Sequence, residues 1–381
     1  MAPPRPDFLA PYKADLDALR GRDRLRALAG RSGLDFASND YLGLAESPEY
    51  REAAGAALAR GVPLGAGGSR LLRGNHPEHE ALEEEAAQFF GAQSALFFGA
   101  GFSANEALLA TLPQRSDLIL YDELIHASAH EGMRLSRAQN RAAAHNDARA
   151  FAAAIHAFQG TGRVWIVVES LYSMEGDVAP LAELAEIAAQ RGAFLLIDEA
   201  HATGALGPGG RGLAHGLEGR DNVITLHTCG KALGLSGALV CLPRLLREFL
   251  INRCRNFIFA TAPSPLLSAS IRAALAINER ADERRAALAA RVSRAGEALR
   301  RLAGVAPSGT HIQPVIVGSD KRALLLAGRM QAQGYDIRAI RPPTVPDGSA
   351  RLRISQTLNV SEAQMDAMIV LLAQELAALP T

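Results

Sequence analysis

The chain has 381 residues, 48% of them hydrophobic and 21% charged, with 40 acidic and 40 basic side chains and a formal net charge of zero. The balance argues against an electrostatic nucleic-acid binder, which should carry a net basic face, and the apolar share supports large cores rather than disorder. Cys229, Cys241 and Cys254 form no C-x-x-C pair, which argues against a disulfide framework or zinc ribbon and for a reducing compartment. The N-terminus lacks the apolar core of a secretion signal, and no run approaches the ~20 apolar residues of a membrane span. The expectation is a cytoplasmic protein with neither nucleic acid nor membrane as partner.

In chain order, "DLDALRGRDRLRALAG" has helical spacing, and "LDFASNDYLGLA" reads as a short strand running into a loop. Together they suggest an N-terminal arm over residues 1–47. From 48 to 262, helical stretches such as "HEALEEEAAQFFG" and "PLAELAEIAAQRG" separate the apolar runs "SALFFGA", "DLILYD", "RVWIVVES", "AFLLIDEA", "NVITLHT" and "GALVCL". Continuous apolar runs between helices predict buried strands of an α/β domain, with a mostly parallel central sheet flanked by helices. From 263 to 381 a helical region of one long or two successive helices is followed by "IQPVIVG", a helix, "YDIRAIRPPTVP", "ARLRISQ" and a last helix. That order predicts a linking helix and a smaller α+β C-terminal domain.

Ligands of open α/β sheets bind outside the carboxyl ends of the strands. Polar and ionisable groups gather there in five successive places. Asp198 and His201 follow "FLLI". A carboxylate there either caps the next turn or pairs with a cationic ring nitrogen, and His201 is placed to reach an adjacent ring oxygen. Lys231, in "HTCGKALG", is one of only three lysines in an arginine-rich chain. A lysine amine can lose its proton, attack an aldehyde and form an imine, whereas arginine stays protonated. Gly101 and Phe102 open a helix whose first N–H groups suit a phosphate, or are an ordinary helix start. His126 is either a ring-stacking group or a capping histidine.

Other signals are weak. "GPGGRG" places Gly207, Gly209 and Gly212 in a G-x-G-x-x-G pattern, but "HATGAL" separates it from the preceding strand and Pro208 interrupts it. It supports an NAD-type nucleotide-binding oxidoreductase only as a reading from a different class. His126 and His130 at i, i+4 lack a third ligand, so no metal is expected. Neither a G-x-S-x-G elbow nor a Walker A motif is present.

The set "SNDYLGL", "GAGGSRLLRGNHPEHEALE", "FFGAGFSANEALL", "HASAHEG", "ESLYSMEGD", "IDEAHATG", "HTCGKALG" and "FIFATAPSP" resembles the α-oxoamine synthases, from about residue 16 to 375 and in family order. The resemblance implies a fold-type I transferase that uses pyridoxal 5'-phosphate (PLP) in the decarboxylative condensation of an amino acid with an acyl thioester. "HIQPVIVG" and "AIRPPTVPDGSARLRIS" resemble most the members that join L-alanine to a pimeloyl thioester, carried by coenzyme A or acyl carrier protein, in biotin synthesis. Glycine C-acetyltransferase is the sister alternative. By resemblance, Lys231 would bind the cofactor aldehyde, Asp198 the pyridinium, and His201 and Ser173 the phenolate side, while His126 stacks on the ring. Gly101, Phe102 and Thr228 would meet the phosphate. Thr261 would reach the phosphate of a neighbouring subunit, since family active sites lie at a homodimer interface. Arg353 would grip the amino-acid carboxylate, with Arg26, Asn39 and Thr344 as further substrate contacts. The segment between Arg26 and "LDFASND" is shorter than the family pattern, which makes Arg26 the weakest of these transfers.

Overall fold

A computed structural model describes residues 7–28 and 30–380. Part of the N-terminal arm read above, residues 1–6 and 29, lies outside the described residues. Internal packing divides the chain into a larger unit (residues 39–292 and 357–359) and a smaller one (residues 1–38, 293–356 and 360–381). In chain order the strands are β1 (Leu34–Asp35), β2 (Ser94–Phe98), β3 (Leu118–Asp122), β4 (Gln139–Ala143), β5 (Val164–Glu169), β6 (Phe194–Asp198), β7 (Val223–Thr228), β8 (Ala238–Leu242), β9 (Ile312–Gly318), β10 (Tyr335–Asp336), β11 (Arg338–Ile340) and β12 (Ala350–Ser355).

The larger unit is built on a seven-stranded sheet in the order β2-β8-β7-β6-β5-β3-β4. Only β8 runs against its neighbours, so the sheet is mostly parallel. Every residue of β5, β7 and β8 is buried. This explains the unbroken apolar runs: successive side chains point to opposite faces, and both faces are covered by helices. Trp165 and Val167 join Leu108 and Leu109 in one core, while Ile166 and Val168 join Phe151 and Leu184 in the other. The carboxyl ends of β3, β5, β6 and β7 deliver Asp122, Glu169, Asp198 and Thr228 to one edge, with Glu169 and Asp198 in register as neighbours.

Strand β4 has no counterpart in the sequence reading. It is an edge strand whose first four residues, Gln139 to Ala142, are exposed. An edge strand with its polar side chains in water needs no apolar run, so hydrophobic patterning does not reveal it.

In the smaller unit, β9, β12 and β11 form an antiparallel sheet in the order β11-β12-β9, and β1 pairs with β10 in parallel. Helices Asp320–Ala332 and Glu362–Ala377 cover a core that includes Phe36, Leu326, Met330, Leu352 and Met368. The helical region after residue 263 is two helices, Pro265–Glu279 and Asp282–Ala303. The helical spacing of "DLDALRGRDRLRALAG" ends at Gly21, short of its expected length. Asp23 turns the chain with φ of 57°, and Arg24 then pairs with Asp320 at 2.8 Å and Asp347 at 2.6 Å. These tertiary ion pairs hold the segment out of the helix its periodicity favours.

Candidate active site

Asp198, 6% exposed, closes β6. Its Oδ1 accepts the Ala200 N–H at 2.9 Å, and its Oδ2 accepts from Asn105 Nδ2 at 2.6 Å. Asn105 lies four residues beyond Gly101, one helical turn along and on the same face. Its second N–H donates to Ser128 Oγ at 3.0 Å. The Ser128 hydroxyl proton is therefore left for His126 Nδ1, 2.7 Å away, which also accepts the Ser128 N–H at 3.2 Å. Two donors on Nδ1 place the imidazole proton on Nε2 and keep His126 neutral. Desolvation by the surrounding protein, the largest influence, lowers its pKa. Asp198 opposes this, while Lys231 and His130 add to the depression. The ring meets Phe102 edge-on, 6.3 Å between centroids. One chain of hydrogen bonds thus runs Asp198–Asn105–Ser128–His126.

A second chain orients His201, which is 4% exposed. Its Nδ1 lies 2.6 Å from Tyr41 Oη, and that hydroxyl donates to Asn39 Oδ1 at 3.0 Å. Ser173, also buried, donates its N–H to Glu169 Oε2 at 3.1 Å.

Lys231 stands in the turn between β7 and β8, half-buried. The turn is closed by Leu235 N–H on the Cys229 carbonyl at 2.8 Å and by Gly234 N–H on the Lys231 carbonyl at 2.7 Å. Gly234 has φ of 65°, and a Cβ there would lie 2.6 Å from Ala45 N, so only glycine fits. The Lys231 charge acts on both His126 and Glu169, which places it among these groups. Cys229 packs in the core, where burial pushes its thiol up to about 12.

The phosphate end fits as well. Helix Gly101–Thr111 starts at Ala100 without any side-chain cap, so its first N–H groups point outward unclaimed by a side chain. A Cβ on Gly101 would come within 3.4 Å of Thr228 Oγ1, filling the space beside those N–H groups. Thr228 Oγ1 also accepts the Gly230 N–H at 3.3 Å, so β7 and the helix start share one corner. An uncapped helix start, a buried carboxylate held by neutral donors and a lysine beside a neutral histidine form a donor set that suits PLP.

Lys231, Asp198, His126, His201, Ser173, Gly101, Phe102, Thr228 and Asn39 all belong to the larger unit, as does Thr261, which is exposed in the segment after helix Arg255–Ile258. Arg26, Thr344 and Arg353 belong to the smaller unit. There Arg26 Nη2 donates to Thr344 Oγ1 at 3.4 Å, and Arg353, 7% exposed, donates to Ser355 Oγ at 2.9 Å. The sequence reading overlooked Asn105, Ser128, Tyr41 and Glu169. Asn105 was legible in principle, from its one-turn spacing to Gly101.

The "GPGGRG" stretch has another use. Leu213 and Ala214 donate their N–H groups to the Glu199 carboxylate at 2.9 and 2.5 Å, and a Cβ on Gly212 would sit 2.2 Å from Glu199 Oε2. These glycines let the loop wrap a side chain of this protein rather than a pyrophosphate. Among the described residues, Glu218, His227 and Cys241 bring three metal-capable atoms within 4.8 Å of one another. A hydrogen bond of 2.9 Å between His227 Nε2 and Glu218 Oε1 already links two of them.

The aminotransferase class I and II family model matches residues 31–371. An 8-amino-7-oxononanoate synthase from Chromobacterium violaceum is 40% identical over 364 residues, covering 94% of this chain and 93% of its own. The chain belongs to the α-oxoamine synthases, within the class I and II aminotransferase family. Among solved structures, an 8-amino-7-oxononanoate synthase from Francisella tularensis superposes with a TM-score of 0.74 at 28% identity, covering 91% of this chain and 98% of its own. A serine palmitoyltransferase from S. paucimobilis with bound PLP shares the fold, with a TM-score of 0.89 at 24% identity over 98% of this chain and all of its own. The fold-type I architecture expected from the resemblance is the one found.

Proposed function

We propose that this chain condenses L-alanine with a pimeloyl thioester of coenzyme A or acyl carrier protein, releasing carbon dioxide and the free thiol and yielding 8-amino-7-oxononanoate for biotin synthesis. The observation that carries the reading is near-full-length identity of about 40% to relatives of that name, joined to the strand-end geometry of Lys231, Asp198, His126 and His201.

Bound at this site, PLP supplies an electron sink for the pair left at Cα when the amino acid gives up its α-proton. The protein's own groups do the rest. Asp198, held by an amide and a backbone N–H, would hold a proton on the ring nitrogen. His126, neutral with its proton on Nε2, stacks on the ring without adding a second cation. His201, set by Tyr41, and Ser173 hold the phenolate side. Lys231 would hold the cofactor through its amine, and that amine would carry the α-proton, taking it from the amino acid and returning it after carbon dioxide has left. Gly101, Phe102 and Thr228 hold the phosphate, and Thr261 completes that cradle from the partner in a homodimer. Arg353 binds the amino-acid carboxylate, with Arg26, Asn39 and Thr344 as further substrate contacts.

The test is a matrix of alanine and glycine against pimeloyl, acetyl and succinyl thioesters, read by thiol release. Fastest turnover with alanine and pimeloyl thioester supports the reading. Preference for glycine with acetyl thioester overturns it in favour of the glycine C-acetyltransferase activity.

A further inference from the structure

Glu169 has no task in the reaction above, yet it stands among the groups that do. It ends β5 in register with Asp198 on β6, and it is 2% exposed. Its Oε2 accepts one N–H, from Ser173 at 3.1 Å, and its Oε1 is sealed from water with no hydrogen-bond partner. A buried carboxylate anion calls for several donors. This one has a single donor and a like charge as its neighbour. The charged groups acting on it are Asp198 from β6, Glu175 from the loop beyond Ser173 and Lys231 from the β7–β8 turn. Nearby is the phenol of Tyr172, fully buried and with Asp122 also acting on it. Burial, followed by Asp198, pushes the Glu169 carboxyl well above the ordinary range, and Lys231 only partly opposes them.

We propose that Glu169 is held as a neutral carboxylic acid and serves as a positioning residue of the cofactor site, carrying its proton on Oε1 and accepting on Oε2 the backbone N–H that holds Ser173 in place. The proposal rests on the reading that PLP occupies this site. Two consequences follow from the geometry. Asp198 remains the single anion available to the ring nitrogen, because its strand neighbour carries no charge. The backbone of Ser173 is fixed by its hydrogen bond to a side chain of the same strand-end cluster before any ligand arrives. A second carboxylate anion beside Asp198 would instead draw the ring proton toward the pair and leave the Lys231 charge shared between two partners.

Infrared difference spectra of PLP-loaded wild type against Glu169→Gln, at neutral pH, test this directly. The expected result is the carbonyl stretch of a protonated carboxylic acid in wild type that Glu169→Gln lacks. A carboxylate band lost in its place overturns the proposal. The positioning role is read by PLP affinity. Glu169→Gln, neutral and of the same shape, keeps Kd within about threefold of wild type, and Glu169→Ala weakens it by about tenfold or more, or about 1.4 kcal/mol. An alanine variant that binds PLP as wild type does also overturns it. Should Glu169→Ala fail to fold by circular dichroism, the infrared comparison still decides. A wild type that fails to bind PLP at all refutes the parent reading, whereas one that binds PLP and shows the carboxylate band refutes this proposal alone.

Discussion

Two carboxylates, Asp122 and Asp198, close parallel strands of the same sheet, and their neighbours give them opposite characters. At the end of β3, Asp122 binds His145 Nδ1 at 2.8 Å, and Asp177 binds the other ring nitrogen at 2.9 Å. Asn146 adds its N–H to Asp122 and its Nδ2 to Asp177 at 2.8 and 3.0 Å. Burial works to lower the His145 pKa, but the two carboxylates outweigh it and carry it to about 10. Here one protein cation is shared between two carboxylates and offsets part of their charge, and the cluster ties β3 and β4 to the loop that bears Ser173. At the end of β6, Asp198 receives hydrogen bonds from neutral groups, the Asn105 amide and the Ala200 N–H. Those donors fix its orientation without themselves neutralising it. Residue type alone does not separate a structural carboxylate from a cofactor-binding one; the charge of the donors around it does.

The sharpest way to break this contrast is at the lysine beside Asp198. Lys231→Arg keeps the positive charge but not the amine chemistry, and kcat is expected to fall by about 10³-fold or more in a protein that remains folded by circular dichroism. Asp198→Asn keeps the shape and tests the charge alone. A fall in kcat of about 10²-fold or more, with Tm nearly unchanged, is expected. Near-normal turnover would mean that the charge left open at β6 has no catalytic use.

The His145 cluster should respond in stability first. His145→Gln is expected to cost about 1–3 kcal/mol in unfolding free energy. The sign of its pH dependence follows from a folded pKa raised from 6.5 to about 10. The stabilisation is complete below the unfolded value and is lost as pH rises through the folded one. Denaturant unfolding between those limits should show the wild-type advantage over His145→Gln shrinking with rising pH. A gap that stays constant would mean His145 is uncharged in the fold. The smallest effect concerns the thiols. Cys229, Cys241 and Cys254 are buried and unpaired, and burial raises all three pKa values. A thiol reagent such as Ellman's should label none of them quickly until the protein is unfolded.

Much of the larger unit was legible because both faces of its sheet are covered. β2, β3 and β5 to β8 therefore read as apolar runs, and the groups at their ends, Asp198, His201 and Lys231, could be gathered from the sequence. What escaped follows from the same physics. β4 faces water and carries no apolar run. Asn105 and Ser128 matter through hydrogen bonds to residues 93 and 23 positions further along the chain, a relation that local patterning does not register. Tyr41 reads as a core aromatic, and its hydroxyl acquires a purpose only when folding brings His201 to it. The segment after Gly21 kept helical spacing, but the helix stops there and Arg24 is tied instead to Asp320 and Asp347.

The account depends on one amine. Borohydride reduction of the PLP-loaded enzyme, followed by digestion and mapping of the modified peptide, tests it most directly. The label is expected on the peptide containing Lys231 and on no peptide containing Lys13 or Lys321. A label on either of those lysines, or none on Lys231 in an enzyme that turns over, would contradict it.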